Sequence, residues 1–133
     1  MRSVHDAFHL AIPARDLDEA AAFYVGLLGC KLARRYPDRI TLDFFGDQVV
    51  CHLSPEHDPG QLDLYPRHFG VTFAAEADFE ALLRLVELRK VPVFAPVAAR
   101  FEGLVEEHRT VVLVDPSGNV LEFKHYRDPR MMY

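Results

Sequence analysis

Apolar and polar positions along this chain follow two rhythms, and the same succession of rhythms occurs twice. Residues 7–12 (AFHLAI) carry strand-forming side chains in loose alternation, and Pro13 closes the run. Residues 14–30 then place Leu17, Ala20, Ala21, Tyr24, Leu27 and Leu28 on one face at helical spacing. Asp16, with Glu19 three residues on, predicts a capping box, and Gly29 a left-handed stop. Short strands are predicted over 31–35, 40–45 and 48–53, the last two joined by a tight turn at Gly46-Asp47. The succession restarts at 68–73 with another strand. A helix over 78–90 turns Phe79, Leu82, Leu83 and Val86 inward, with the stem of Lys90 alongside. Strands over 93–98, 108–114 and 119–126 complete the second unit, and Asp115-Pro116-Ser117-Gly118-Asn119 marks its last turn. The expected fold is α+β, with two βαβββ modules at about 5–53 and 68–126 in one domain spanning 1–133. The stretch 54–67, rich in Pro, Asp and Gly, reads as a surface connection, and 127–133 as a frayed tail.

Each module opens and closes on a side chain suited to borderline divalent metals: His9 and His52 in the first, His68 and Glu122 in the second. Alternation decides where they point. In the first strand Phe8, Leu10 and Ile12 share one face, while His9 and Ala11 share the other. In the fifth, Phe69, Val71 and Phe73 oppose His68, Gly70 and Thr72. In the last, Leu121 and Phe123 oppose Val120, Glu122 and Lys124. His52 shares its face with Val50, away from Cys51 and Leu53. A sheet curled into a cup would carry all four candidates on its concave side. Blander explanations compete. A lone histidine is ordinarily held by hydrogen bonds, and Lys124 offers a salt-bridge partner to a carboxylate that is costly to bury alone.

Composition narrows the function classes. The chain has 133 residues and a net charge of −5, enough length for one core and the wrong sign for a nucleic-acid footprint. No apolar run approaches the roughly 20 residues of a membrane span, and the start has no long apolar segment of the signal-peptide kind. Cys30 and Cys51 are expected to be small buried hydrophobes in a reducing cytoplasm rather than a disulfide or a catalytic thiol.

The segment HLAIPARDLDEAAAFYVGLLGCKL resembles the opening of the vicinal oxygen chelate superfamily, which includes glyoxalases, bleomycin-resistance proteins and ring-cleaving dioxygenases. DPSGNVLEFKHY resembles its closing motif, and the resemblance spans about His5 to Arg127. It implies an open, curled mixed sheet around a divalent metal, with His9, His68 and Glu122 as ligands. Where glyoxalases place a carboxylate on the fourth strand, this chain presents His52, either a direct ligand or a hydrogen-bonder that orients the site. Such donors suit Fe, Mn, Ni, Co or Zn. Four protein ligands would leave two open positions for a substrate with oxygens on adjacent carbons. The implied activity is then that of a lyase or isomerase using Lewis-acid stabilisation of an enolate. Three ligands would instead form the facial triad of a single-domain Fe(II) dioxygenase. A non-catalytic drug-binding protein is the third possibility. The modest length favours the lyase or isomerase, since dioxygenases of the superfamily usually carry four modules. A small-molecule substrate and a homodimer are implied, with the site inside one chain or shared between two.

Further candidates are polar residues outside the ligand set. Arg100 is a candidate for holding an anionic substrate group, against a surface ion pair with Glu102 or Glu106. His108 and Tyr126 are candidate acids or bases. His57, Tyr65 and Arg67 on the connection are candidates for the cup's mouth. Tyr24 is assigned to the core, and His5, Asp6, Asp115 and His125 to turns, caps or surface.

Overall fold

The alternating runs condense into two four-stranded sheets, which the computed structural model describes over residues 2–133. The first module comprises β1 (His9–Ala14), α1 (Leu17–Ala21), β2 (Lys31–Tyr36), β3 (Arg39–Phe44) and β4 (Asp47–Leu53), with strand order β1-β4-β3-β2. The second comprises β5 (Thr72–Phe73), α2 (Glu76–Leu88), β6 (Val93–Arg100), β7 (His108–Val114) and β8 (Val120–Tyr126), ordered β5-β8-β7-β6. In each, the first strand runs parallel to the last and the remaining pairs are antiparallel. The expected α+β fold of two βαβββ modules in an open mixed sheet is the one observed. No helix among the described residues is long and apolar enough to cross a membrane.

Local departures from the expected elements have physical causes. Pro13 does not end β1, because β1 is an edge strand and an edge tolerates a missing N–H. The Asp16 carboxylate caps α1, accepting from the Asp18 and Glu19 N–H groups at 2.7 and 2.9 Å. The helix then widens: Ala22–Leu27 is π-helical, and the Leu28 N–H donates to the Phe23 carbonyl. That wider turn brings Phe23, absent from the expected apolar stripe, into the core beside Tyr24. α2 begins and ends two residues earlier than expected, so Lys90 lies beyond it at φ 53, exposed. The tail is not frayed: Pro129–Met132 forms a 3-10 turn capped by Asp128.

Two contacts lock the modules together. The β3–β4 loop is Phe45-Gly46, one residue earlier than expected, with φ of 54 and 95. Phe45 accepts this left-handed backbone because its ring packs on Phe73 and Phe123, at 5.9 and 5.6 Å between centroids. The other lock is the turn before β8. There the buried Asp115 accepts from the Tyr24 hydroxyl at 2.8 Å, and the Asn119 side chain donates to the Pro13 carbonyl at 2.9 Å. The closing motif thus grips the end of β1 and the first helix.

Cys30 and Cys51 lie in this core as free thiols, and burial pushes both up to about 12. The native protein is therefore expected to resist iodoacetamide at pH 8 and to gain two adducts by mass spectrometry only after denaturation.

Candidate metal-binding cup

Register shows what each sheet displays on the face opposite the core. In the second module Phe69 bridges Leu121, which sets Gly70 beside Glu122 and His68 beside Val120. The close approach of the two backbones at Gly70 is steric: a Cβ there would lie 1.8 Å from the Glu122 carbonyl oxygen. Residues 68–71, expected as regular strand, form only this bridge, and β5 proper is confined to Thr72–Phe73.

The consequence is a pair of side chains. His68 Nε2 lies 3.3 Å from Glu122 Oε2, and Glu122 is 7 % exposed. His68 Nδ1 is 2.8 Å from the Leu64 carbonyl oxygen. A carbonyl only accepts, so Nδ1 carries the proton, and Nε2 of the neutral ring is a lone pair. With the ring neutral, two acceptors face each other (a proton on Nε2 would make it a donor to Glu122 instead), an arrangement that positive charge beside it stabilises. Lys124 supplies some, with Nζ 2.8 Å from the same carboxylate oxygen. The salt bridge foreseen from the strand pattern is thus present. An imidazole lone pair beside a buried carboxylate is also the donor set of a borderline divalent cation, so these residues fit the metal that the family pattern implies.

The first module's histidines lie apart from this pair. His9 is exposed, and its Nδ1 lies 2.5 Å from Gln48 Oε1, which leaves Nε2 free and fixes the ring. Among the described residues, no three His, Cys, Asp or Glu side chains come close enough to share a metal. The chain brings His68 and Glu122 together but does not bring His9 or His52 to them. Register also separates His52 from the carboxylate's place. His9 sits opposite Gln48 as His68 sits beside Val120, so the counterpart of Glu122 is Val50, while His52 faces Pro13 further along. His52 is exposed, and among the described residues its ring makes no hydrogen bond.

Three other candidates fall into one row. Arg100 pairs with His108 across β6 and β7, and His108 with Tyr126 across β7 and β8. Directly opposed residues project to the same side, and Tyr126 shares its side with Lys124 and Glu122. The His108 and Tyr126 rings are 4.6 Å apart. Among the described residues Arg100 makes no salt bridge; Glu107, not Arg100, holds the local pair, with Arg127. On the connection, His57, Tyr65 and Arg67 line a groove of about 540 Å³ that His68 and Leu10–Pro13 also border. The functional detail that sequence reading missed is Gly70. Its signal was a glycine two residues after a candidate ligand, but the backbone approach that requires it is visible only in three dimensions.

A family model described as the glyoxalase/bleomycin resistance protein/dioxygenase superfamily matches residues 7–123. No match is found among curated protein sequences. A crystal structure of a glyoxalase/bleomycin resistance protein/dioxygenase from Alicyclobacillus acidocaldarius is 62 % identical, with full coverage of both chains and a TM-score of 0.94. A lactoylglutathione lyase from Agrobacterium tumefaciens is similar in fold, at 19 % identity, TM-score 0.66 and coverage of 90 % of this chain and 92 % of that one. So is a genomically encoded fosfomycin resistance protein from Listeria monocytogenes, at 15 % identity, TM-score 0.73 and coverage of 99 % and 100 %.

Proposed function

Since the chain belongs to the glyoxalase/bleomycin resistance protein/dioxygenase superfamily, we propose that it is a metal-dependent lyase or isomerase acting on a small molecule with oxygens on adjacent carbons. The observation that carries this is the opposed pair, His68 Nε2 and Glu122 Oε2 at 3.3 Å. The third ligand is His9, supplied by a second copy of the chain. Support for a homodimer comes from the ligand-bearing faces, which do not meet within one chain. It comes also from Leu32 and Tyr36 on β2 and Phe94 and Val97 on β6, all large apolar groups left exposed.

A divalent cation held there supplies Lewis acidity, which eases removal of a proton next to paired substrate oxygens. The chain's own groups do the rest. Leu64 and Gln48 fix the rings of His68 and His9 through Nδ1, leaving each Nε2 available as a ligand. Lys124 holds a proton at Nζ beside Glu122, within reach of a substrate oxygen lying against that carboxylate.

The test is metal content after loading with Fe, Mn, Ni, Co or Zn. Wild type is expected to bind one equivalent per chain, and Glu122→Ala to bind at least about tenfold more weakly. Unchanged stoichiometry and affinity in Glu122→Ala would refute the centre. Sharing between copies has its own readout. Mixing equal amounts of His9→Ala and Glu122→Ala chains should restore metal binding to roughly a quarter of the sites if they span two copies, because each heterodimer regains one of its two sites, and to none if each lies within one chain.

A second reading is favoured by one observation, the valine at the register counterpart of Glu122. Three protein ligands, His9, His68 and Glu122, leave room for both a chelating substrate and O₂ on Fe(II), the arrangement of a dioxygenase. Oxygen uptake with Fe(II) and a panel of catechols separates the two readings.

A further inference from the structure

We infer that the row Arg100–His108–Tyr126 is the anion-binding end of the cup, and that the substrate is a molecule with an apolar or aromatic body ending in a carboxylate. This deepens the proposed function and rests on reading this face as a substrate site. The placement comes from register. β8 carries Glu122, Lys124 and Tyr126 on one side, with Val112, Thr110 and His108 of β7 opposite them in turn. Arg100 of β6 extends the last row. At about 3.3 Å per residue, the row lies roughly 13 Å along the sheet from Glu122.

That separation suits binding rather than chemistry. A proton donor or acceptor must come within about 3 Å of the reacting atom, so His108 and Tyr126 are too far along the strands to act where Glu122 sits. Between the two ends lies the Lys124–Thr110 pair, a polar floor with a cation. At the far end the groups are suited to a planar anion. Arg100 is exposed, and among the described residues its guanidinium has no carboxylate partner, though Glu102 and Glu106 are close in sequence. A guanidinium fork matches a carboxylate with two parallel hydrogen bonds. His108 Nδ1 is 2.8 Å from the Glu106 carbonyl oxygen, so Nδ1 donates there and Nε2 is not used in that bond. The His108 ring packs on Tyr126 and, at 5.7 Å, on Phe101. Phe101, Leu104 and Val105 leave apolar surface exposed on the loop joining β6 to β7. An unpaired guanidinium in the same row as a ring that packs on Phe101, next to a loop with exposed apolar groups, points to the ligand class: an anion attached to a body that prefers to leave water.

The test uses two probes of one shape, phenylacetate and the neutral 2-phenylethanol, on the full chain dialysed against EDTA. The signal is the His108 ring resonance, assigned by its loss in His108→Asn. Phenylacetate is expected to shift it saturably and to bind at least tenfold more tightly than 2-phenylethanol. Arg100→Ala should abolish that preference, and Arg100→Lys should keep part of it because the charge remains without the fork. Equal binding of the two probes, no shift with either, or an unchanged preference in Arg100→Ala would overturn the assignment. Because the titration contains no metal, its failure leaves the metal centre standing. Conversely, anion preference survives a Glu122→Ala result that refutes the centre.

Discussion

Replacing Gly70 by alanine is expected to lower stability by about 3 kcal/mol and to weaken metal binding at least tenfold. The added Cβ would stand 1.8 Å from the Glu122 carbonyl oxygen and 2.7 Å from its carbonyl carbon. Both are backbone atoms of a buried central strand, so neither can swing aside as a side chain tip would. The segment 68–71 must therefore move off β8. The Phe69–Leu121 bridge is the first contact at risk, and with it the 3.3 Å approach of His68 to Glu122. Tm should fall on the order of 10 °C. Gly26→Ala is the control, since a Cβ there meets nothing within 4 Å. If Gly70→Ala binds metal as wild type does, the pairing of these strands is not what sets the ligand geometry.

The second large effect is expected at Asp115. This carboxylate, 5 % exposed, accepts from the Tyr24 hydroxyl, the Ser117 and Asn119 N–H groups and the Asn119 side chain, all at 2.7–2.9 Å. Asp115→Ala leaves the buried Tyr24 hydroxyl and Ser117 N–H without that acceptor, and Asn119 with fewer partners, and should cost about 4 kcal/mol in urea denaturation. Tyr24→Phe removes one partner and leaves the carboxylate its other donors, for a cost of about 1 kcal/mol. A loss below about 1 kcal/mol in Asp115→Ala would show that the clasp between the modules is incidental.

The same residues set an alkaline limit. Burial, and then the charge of Asp115, hold Tyr24 well above its ordinary 10.0, while burial holds the two thiols at about 12 against 9.0. In the unfolded chain these groups release protons first. The folded state then binds more protons than the unfolded one, so stability is whole below pH 9 and falls as pH rises beyond it. Denaturation midpoints between pH 8 and 11 should decline, and Tyr24→Phe should flatten the part above pH 10. A midpoint that does not change with pH would contradict the burial of these groups.

Strands and helices were legible because each is patterned by a local rule. The period-two alternation of β7 and β8 and the 3.6-residue stripe of α2 can be read without knowing what they pack on. The misreadings cluster where a distant contact overrides that rule. Residues 22–27 widen to a π-helix beside the core, Phe45 takes a left-handed backbone against Phe73 and Phe123, and residues 68–71 lie too close to β8 for a regular ladder. The candidate site divides in the same way. His9, His68 and Glu122 could be singled out because an imidazole opens each of the two modules and a carboxylate interrupts the apolar last strand. Which of them meet could not be read, because that depends on how one sheet sits against another.

By itself the sequence determined two βαβββ modules, the faces on which the histidines and Glu122 lie, and the position of the turn before the last strand. Periodicity and turn chemistry act over a few residues and leave their mark in order along the chain. Only the tertiary structure decided that His68 reaches Glu122 while His9 does not, that Val50 rather than His52 matches Glu122, and that Arg100, His108 and Tyr126 share a row. Those facts depend on strand register and sheet packing, where a shift of one residue reverses every side chain, and many residue patterns are compatible with more than one register.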